Sequence, residues 1–402
     1  MRFWAILLLF AGIALAAHAA KKVTVAQFEQ TLSAAHGKRD AELAKKLGEM
    51  ELTERLSDAR LSQLELQMPG VLSRQALVAA ADASVFLKVR DSDVSSKPAP
   101  EPGDRDSMLA MVFDYVRRTI PQLPNFFAAR ETTRFEETPA LAHRDASTWS
   151  IAIPLHFVGK SSDTVLYRNG AEVVEPNGPG ERTFNQSIYG LEIYGAFGPI
   201  LPTVLSDASH GTLTWGRWEQ APEGLRAVFQ FSVPEAASHY KVTSLNWGHE
   251  GLPNPPYHGE IEVDPADGTI LRLSMVAELK PSDPVSEAGI IVEYGPVQIG
   301  GKTYFCPLKS VARSVVRTVR GDSAKKSDAP NVMLAPGSTV GLLDIQKKDE
   351  DASLEPAQLR VNDVAFKQYH LFRAETRILT DNDGRPGENQ DSGAVPAATP
   401  QH

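Results

Sequence analysis

The chain has 402 residues, of which 42% are apolar and 7% are aromatic, and it contains a single cysteine. This composition excludes a fibrous or fully disordered protein, and the length indicates two folded units rather than one. The chain has a formal charge of −9 and contains no basic stretch dense enough to neutralise several phosphates, which argues against a nucleic-acid-binding protein.

Residues 1–19 have the pattern of a secretory signal peptide. Arg2 supplies a short positive region, residues 3–17 are apolar, and Ala17-His18-Ala19 has the small-x-small form of a cleavage site. The run is too short to span a bilayer stably, and no later segment reaches 18 apolar residues. We therefore expect a secreted or periplasmic protein whose mature chain has no transmembrane segment.

Residues 20–90 carry the apolar spacing of short amphipathic helices. Thr24 followed by Gln27 is a capping-box pattern, and Asp40 and Thr53 are placed to begin a second and a third helix. A fourth helix is predicted to start at Ser73. Such short helices are not stable alone, so we expect them to pack together or against the rest of the protein.

Residues 91–106 are rich in proline and serine and predict a linker. Beyond it, the spacing of Met108, Val112 and Val116 predicts a helix over 107–120. A second, inserted helix is predicted within 191–206.

Most of the segment 107–380 alternates with a period of two, which is typical of β-strands. Asn169-Gly170, the turn 264–268 and Gly300-Gly301 are hairpin signals between such strands. Frequent hairpins without a βαβ rhythm favour an antiparallel sheet. The predicted fold class is therefore α+β: a small N-terminal helical unit, then a curved, open, half-barrel-like antiparallel sheet with one or two covering helices. Residues 381–402 are predicted to be a disordered tail.

The sequence contains no metalloprotease, nucleotide-binding, nucleophile-elbow or C-x-x-C motif. Histidines and carboxylates are nevertheless concentrated in loops between 206 and 260. A secreted hydrolase with a His/Glu cleft there is the alternative hypothesis, with Glu219, His249, Glu250, His258 and Glu260 as its acid/base residues. The histidine spacing fits no metal-site rule, so neither a metal nor a cofactor is expected.

Aromatic residues lie in the same region. Trp215 and Trp218 are three residues apart and cannot share one face of a regular strand, so one is expected in the core and the other beside a groove. Tyr257 lies nearby in the sequence. Aromatic side chains beside His and Glu suit a ligand cleft, although packing in the core is the simpler explanation for them.

Two segments resemble a known family. Residues 259–273 (GEIEVDPADGTILRL) and 294–307 (YGPVQIGGKTYFCP) are similar to strand–turn–strand segments of periplasmic lipoprotein-carrier (LolA-like) and RseB-like half-barrels. The whole chain also resembles a group of secreted bacterial proteins that offers no functional residues. The half-barrel resemblance implies an open sheet whose concave apolar face holds acyl chains or covers a partner, with helices as a lid.

The sequence thus predicts a non-enzymatic binding protein that holds a lipid or other amphiphile on its sheet or docks an envelope protein through residues 21–90. The expected ligand-binding residues are aromatic and aliphatic: Trp215, Trp218, Tyr257, Ile261, Val263, Leu271, Leu273 and Met275. Ile291 and Val297 are expected to extend the same wall, although alternation does not say which face the residues occupy. A structural, partner-docking protein is a third hypothesis.

Overall fold

The computed structural model describes residues 20–138 except 36, residues 152–173, residues 200–240, residues 254–317 except 284, and residues 357–372. The predicted signal peptide and the predicted tail at 381–402 lie outside these residues. The described part contains helices and a large, curved antiparallel sheet that does not close into a barrel. The predicted α+β fold class is therefore confirmed.

The N-terminal helices form a small unit with its own core, in which Phe28, Leu47 and Leu77 are fully buried. Its helices are α1 (Val25–Ala34), α2 (Asp40–Gly48), α3 (Asp58–Glu65) and α4 (Val71–Ala83). Two short strands that the sequence analysis did not predict, β1 (Lys21–Val23) and β2 (Met50–Leu52), pair in parallel and join this core.

The helix starts agree only in part with the predictions. The capping box of Thr24 and Gln27 is confirmed at α1. Asp40, however, is the first residue of α2, and its carboxylate instead accepts the N–H groups of Leu72 and Ser73 at the start of α4. The third helix begins at Asp58 rather than near Thr53, because the preceding residues are held in the β1–β2 pair.

Two further helices belong to the larger part of the structure. α5 (Pro102–Thr119) begins inside the predicted linker 91–106. Proline suits the first turn of a helix, because it has no N–H group that would lack a partner there and its fixed φ is close to the helical value. α6 is Ile200–Ser209, and the first nine residues of its predicted range, 191–199, lie outside the described residues.

The large sheet contains ten described strands. They are β3 (Phe126–Thr138), β4 (Ile153–Arg168), β5 (Ala171–Val173), β6 (Thr212–Ala221), β7 (Gly224–Val233), β8 (Tyr257–Val263), β9 (Ile270–Ala277), β10 (Val285–Ile299), β11 (Lys302–Val316) and β12 (Gln358–Leu371). Their order across the sheet is β5-β4-β3-β12-β11-β10-β9-β8-β7-β6, and all neighbours are antiparallel. The chain therefore enters the sheet at β3 and reaches one edge at β5. It then crosses to the opposite edge at β6 and returns strand by strand to β12, which pairs with β3.

Two predicted hairpins are confirmed by their backbone geometry. Asn169 and Gly170 join β4 to β5 with φ of 54° and 84°, and Gly300 and Gly301 join β10 to β11 with φ of 59° and 83°. Two consecutive residues in this left-handed region match the twist of the flanking strands, which is why Asn-Gly and Gly-Gly suit such turns.

The two faces of the sheet are covered by different parts of the chain. α5 and α6 lie on one face, through Met108, Val112 and Val116 and through Leu201, Val204 and Leu205. On the other face, Ala79 of α4 packs with Phe135, Val311 and Val361. We call these the apolar face and the charged face, because Glu262, Arg272 and Lys309 of the central strands lie on the second, where they contact the helical unit.

Among the residues that the structure describes, no helix combines the length and apolar character needed to cross a membrane.

Candidate functional site

Most of the predicted ligand-binding residues lie together on the apolar face. Tyr257, Ile261, Val263, Leu273 and Met275 are all at most 3% exposed and belong to the core beneath α5 and α6. They share a face because β8 and β9 pair residue by residue, with Tyr257 opposite Ala277 and Ile261 opposite Leu273.

Leu271 and Ile291 do not join this wall. The β8–β9 register shifts so that Glu262 lies opposite Arg272 and Val263 opposite Ile270, which makes Leu271 the extra residue of a β-bulge. Ile291 lies opposite Val311, which packs beneath α4 on the charged face. Val297 packs at the margin of the apolar core. A strict two-residue alternation of side chains predicts the wrong position for Leu271, because the sequence pattern does not show where a bulge occurs.

A second bulge brings Trp215 and Trp218 together. Trp215 lies opposite Phe229 and Arg217 opposite Val228, so Gly216 is the extra residue between them. The two indoles therefore lie on the same face, with ring centroids 4.8 Å apart in an edge-to-face arrangement. The expectation that the two rings lie on different faces is wrong, because it assumed a regular strand; Trp218 is buried in the core and Trp215 packs against it.

The predicted linker lies against Trp218 at the edge of the sheet. The indole Nε1 donates to the Pro98 carbonyl at 2.9 Å, and the Lys97 ammonium lies 4.3 Å from the ring centroid. Val94 forms an antiparallel bridge with Glu219. Residues 94–98 are thus held on β6.

Tyrosines from four elements meet in the apolar core that also contains the single cysteine. Tyr167 of β4, Tyr294 of β10 and Cys306 of β11 belong to this core, and Tyr115 of α5 and Tyr369 of β12 pack against it. Burial raises the pKa of the Cys306 thiol to about 12, so it is neutral at physiological pH. The sequence does not reveal this cluster, because its members are scattered over some 250 positions.

An aromatic stack supports one side of this tyrosine cluster. Phe126, the first residue of β3, is fully buried, with its ring centroid 4.9 Å from that of Tyr167 and 5.5 Å from that of Tyr369. The Tyr369 hydroxyl donates to the Pro307 carbonyl.

The charged face contains an ion-pair network that holds the helical unit on the sheet. Arg55, from the turn before α3, is bound by the carboxylates of Glu219 on β6 and Glu262 on β8. Arg272 of β9 donates to Glu262 at 2.8 Å and to the Val85 carbonyl at 3.4 Å. Burial alone would raise the pKa of Glu262, but the surrounding guanidinium groups outweigh it and lower the pKa to about 2.

Two residues of the hydrolase hypothesis belong to this network. Arg217 donates to both oxygens of Glu260, at 2.6 and 2.8 Å, and to Glu219 at 2.8 Å. Burial opposes ionisation of Glu260, but the hydrogen-bonded Arg217 outweighs it and lowers the pKa of that carboxyl. A carboxylate held ionised in this way is a poor proton donor, so Glu260 does not have the environment of a general acid.

Of the remaining predicted acid/base residues, only His258 lies within the described part of the chain, and it lines the same cleft as Glu260. Its Nδ1, however, lies 3.2 Å from Glu278, and both of these side chains are about half exposed. His249 and Glu250 lie outside the described residues. A pairing that the sequence did not predict joins His239 Nδ1 to the buried Asp207 carboxylate at 2.7 Å, and Asp207 also accepts the Tyr257 hydroxyl.

A second ionic contact attaches α4 to the sheet. The Asp82 carboxylate accepts a 2.9 Å hydrogen bond from Lys309 of β11, which also lies 3.7 Å from Asp363 of β12. Burial raises the pKa of Asp82 above its usual range, although Lys309 opposes this. Nearby, burial and then Asp58 raise the pKa of Glu293 to about 7.

Two clefts flank the Arg55 network on the charged face. One, of about 690 Å³, lies between segment 85–94 and strands β6–β9 and includes Arg217, His258 and Glu260. The other, of about 630 Å³, lies between α3 and strands β6–β10. Within the described residues, no group of three or more His, Cys, Asp or Glu side chains is placed to hold a metal ion.

Comparisons of the chain with protein-family models, with curated proteins and with solved structures found no match.

Proposed function

We propose that this protein is an exported, non-enzymatic binding protein that holds a lipid or another amphiphile between the apolar face of its sheet and helices α5 and α6. The proposal assigns the ligand-binding wall to Tyr257, Ile261, Val263, Leu273 and Met275, with the Trp215–Trp218 pair at the β6 end.

The observation that carries the proposal is the way in which the apolar face is covered. The sheet is open, with β5 and β6 as its edge strands, and the apolar side chains of its inner strands pack beneath α5 and α6. Helices laid on an open sheet separate from it without breaking the ladder between strands, whereas a closed barrel has no such route. An amphiphile that replaces part of the helix contact keeps the apolar area away from water.

The distribution of charge also supports an apolar ligand on this face. Glu260, Glu262 and Arg272 alternate along β8 and β9 with the core residues and therefore lie on the opposite face. Glu262 binds Arg55 of the helical unit, and Glu260 and Arg272 are paired with residues of other strands. The ionisable groups of these strands are thus paired on the charged face, and the opposite face offers aliphatic and aromatic side chains to an apolar ligand. The half-barrel resemblance of residues 259–273 and 294–307 implies the same use.

Two experiments test the proposal. Native mass spectrometry of the protein purified from its exporting host, followed by organic extraction, is expected to detect a bound amphiphile. After delipidation, the hydrocarbon fluorophore diphenylhexatriene is expected to bind and to be displaced by monoolein. A protein that retains no amphiphile and binds neither probe would contradict the proposal.

The hydrolase alternative and the docking of an envelope protein through residues 21–90 stay predictions. For the first, the arginine pairing of Glu219 and Glu260 offers no support. For the second, the helical unit is itself docked on the charged face through Arg55 and Asp82.

A further inference from the structure

Within the described part of the chain, two tyrosine hydroxyls in the apolar core have no hydrogen-bond partner. They belong to Tyr167 on β4, whose side chain is fully buried, and to Tyr294 on β10, which is 9% exposed. Buried hydroxyls are almost always hydrogen-bonded, because removing them from water without a partner costs free energy. The presence of two such groups in one core therefore indicates that a bound molecule supplies the hydrogen-bond acceptors for these hydroxyls.

The two hydroxyls belong to one region of the core, although they come from distant strands. β4 and β10 are separated in the sheet by β3, β12 and β11, but a chain of contacts connects the two residues. The Phe126 ring stacks on Tyr167 and lies 5.5 Å from the Tyr369 ring. The Tyr369 hydroxyl donates to the carbonyl of Pro307, which is the residue opposite Tyr294 in the β10–β11 ladder. The phenols are thus held in place on the face that we assign to the ligand.

The surroundings define the chemistry of the missing acceptor. The guanidinium of Arg130 reaches Glu172, the residue opposite Tyr167 on β5, and is already paired with that carboxylate at 3.3 Å. Burial also raises the pKa of both phenols, so they remain protonated and able to donate. A charged headgroup would lose its hydration here without a counter-ion, whereas a carbonyl oxygen needs only a hydrogen-bond donor.

We propose that the hydroxyls of Tyr167 and Tyr294 donate hydrogen bonds to the oxygens of an uncharged acyl headgroup, that of a long-chain ester or of a protonated fatty acid. The inference rests on the proposed function and adds to it the position and the chemical class of the headgroup. The acyl chain then extends along the aliphatic wall formed by Ile261, Leu273 and Met275.

The test removes only the hydroxyls. Tyr167→Phe and Tyr294→Phe keep the ring and its packing, and Tyr240→Phe is the matched control, because it removes a phenol that packs against Tyr257 away from the cluster. Binding of diphenylhexatriene, which has no hydrogen-bond acceptor, is measured first, and its displacement by monoolein and by oleic acid is measured next. Because each Phe substitution removes a buried unpaired group, the variants are expected to fold.

We expect Tyr167→Phe and Tyr294→Phe each to weaken monoolein binding about 5- to 10-fold, which corresponds to one hydrogen bond, and to leave diphenylhexatriene binding within about twofold of the wild type. Tyr240→Phe is expected to change neither. Equal losses for monoolein and for oleic acid at pH 5 would assign the site to the shared carbonyl. A loss confined to one of them would assign it to the ester or to the free acid.

The failure of this inference and that of the proposed function are distinguishable. If diphenylhexatriene binds and both Phe variants bind monoolein and oleic acid as the wild type does, water occupies the acceptor positions. The headgroup inference is then overturned, while the amphiphile site stands. If neither diphenylhexatriene nor the lipids bind the wild type, the proposed function itself is overturned, and this inference with it.

Discussion

The carboxylate of Asp82 on α4 and the ammonium of Lys309 on β11 are joined by a 2.9 Å hydrogen bond, with only 1% of the Asp82 side chain exposed. This contact links the helical unit to the sheet across 227 positions of sequence. Lys309→Ala would leave Asp82 and Asp363 buried without their cation. We expect it to lower the free energy of unfolding by about 3 kcal/mol, measured by urea denaturation at pH 7.

The matched control for Lys309 is Lys367→Ala. Lys367 pairs with Glu131 at the same 2.8–2.9 Å separation, but its side chain is 54% exposed. An exposed pair contributes at most about 1 kcal/mol, so the control is expected to change stability little. Equal effects of the two substitutions would show that the Asp82 contact does not hold the helical unit.

Because of Glu293 on β10, the free energy of unfolding is expected to decrease as the pH rises from 4.5 to 7. Burial and then Asp58 raise the pKa of Glu293 to about 7 in the folded protein, from about 4.5 in the unfolded chain. Within this window the folded state keeps a proton that the unfolded state has lost, so a rise in pH favours unfolding. Glu293→Gln removes this contribution, and the difference in unfolding free energy between pH 5 and pH 8 is expected to shrink by about 1–2 kcal/mol.

Glu287→Gln is the control for this pH dependence. Glu287 lies on the same strand, but its side chain is 52% exposed and pairs with Arg313 at the surface. It is expected to leave the pH slope unchanged. A slope that Glu293→Gln does not alter would show that Glu293 is ionised in the folded protein throughout this range.

Gly268 sets the contact between the β8–β9 turn and α5. Its φ is +75°, and a Cβ there would lie 2.5 Å from the Met111 carbonyl carbon and 2.7 Å from the Val112 nitrogen. Gly268→Ala must therefore displace α5, and we expect a loss of at least about 2 kcal/mol in the free energy of unfolding, measured in urea. Gly170→Ala, with φ of +84° and no atom within 4 Å, is expected to lose only the backbone contribution of about 1 kcal/mol. Equal losses would contradict a tight α5 contact.

Cys306 provides a direct probe of whether the apolar face opens. It is the only cysteine of the chain, is 1% exposed, and has its pKa raised to about 12 by burial. We expect reaction with a thiol reagent at pH 8 to be at least about 100-fold slower than in urea. Gly268→Ala is expected to accelerate it and Gly170→Ala is not. Rapid labelling of the wild type would contradict a core closed by α5.

Trp218 is expected to protect the segment between α4 and α5 from proteolysis. Trp218→Phe removes the 2.9 Å hydrogen bond to the Pro98 carbonyl and reduces the surface that Lys97 covers. Cleavage by proteinase K between residues 95 and 101, located by mass spectrometry, is expected to become several-fold faster. Trp215→Phe is the control, and equal rates in the two variants would show that the segment is held by other contacts.

The secondary structure was largely predictable wherever a local signal decided it. The capping box at Thr24, the Asn169-Gly170 hairpin and the Gly300-Gly301 hairpin all formed as expected, because each depends on the conformational preference of adjacent residues. The parallel pairing of Lys21–Val23 with Met50–Leu52 was not predictable in this way. It depends on contacts between residues 29 positions apart, within a core that no single segment specifies.

The candidate site was predictable only in part, for a related reason. Alternation placed Ile261 with Leu273, but it misplaced Leu271 and separated Trp215 from Trp218, because one extra residue in a bulge reverses the face of everything beyond it. The charged residues in β8 and β9 were a signal that both faces of these strands are covered. Glu260 is an acid/base residue only in the alternative hydrolase hypothesis, and the sequence does not reveal that it is paired, because its partner Arg217 lies 43 positions away.

The fold class and the alternation of apolar and charged residues along the strands can be read from the chain, as can the expected export signal, since these depend on composition and near neighbours. The side of the sheet that each residue faces follows from the folded protein, because strand register and bulges are set by pairing across the sheet. The same is true of the contacts by which Arg55 and Asp82 fasten the helical unit to the charged face, and of the apolar core in which tyrosines from four elements meet. These arrangements bring together groups that are distant in the chain, and packing and the balance of buried charge, rather than local preference, select them.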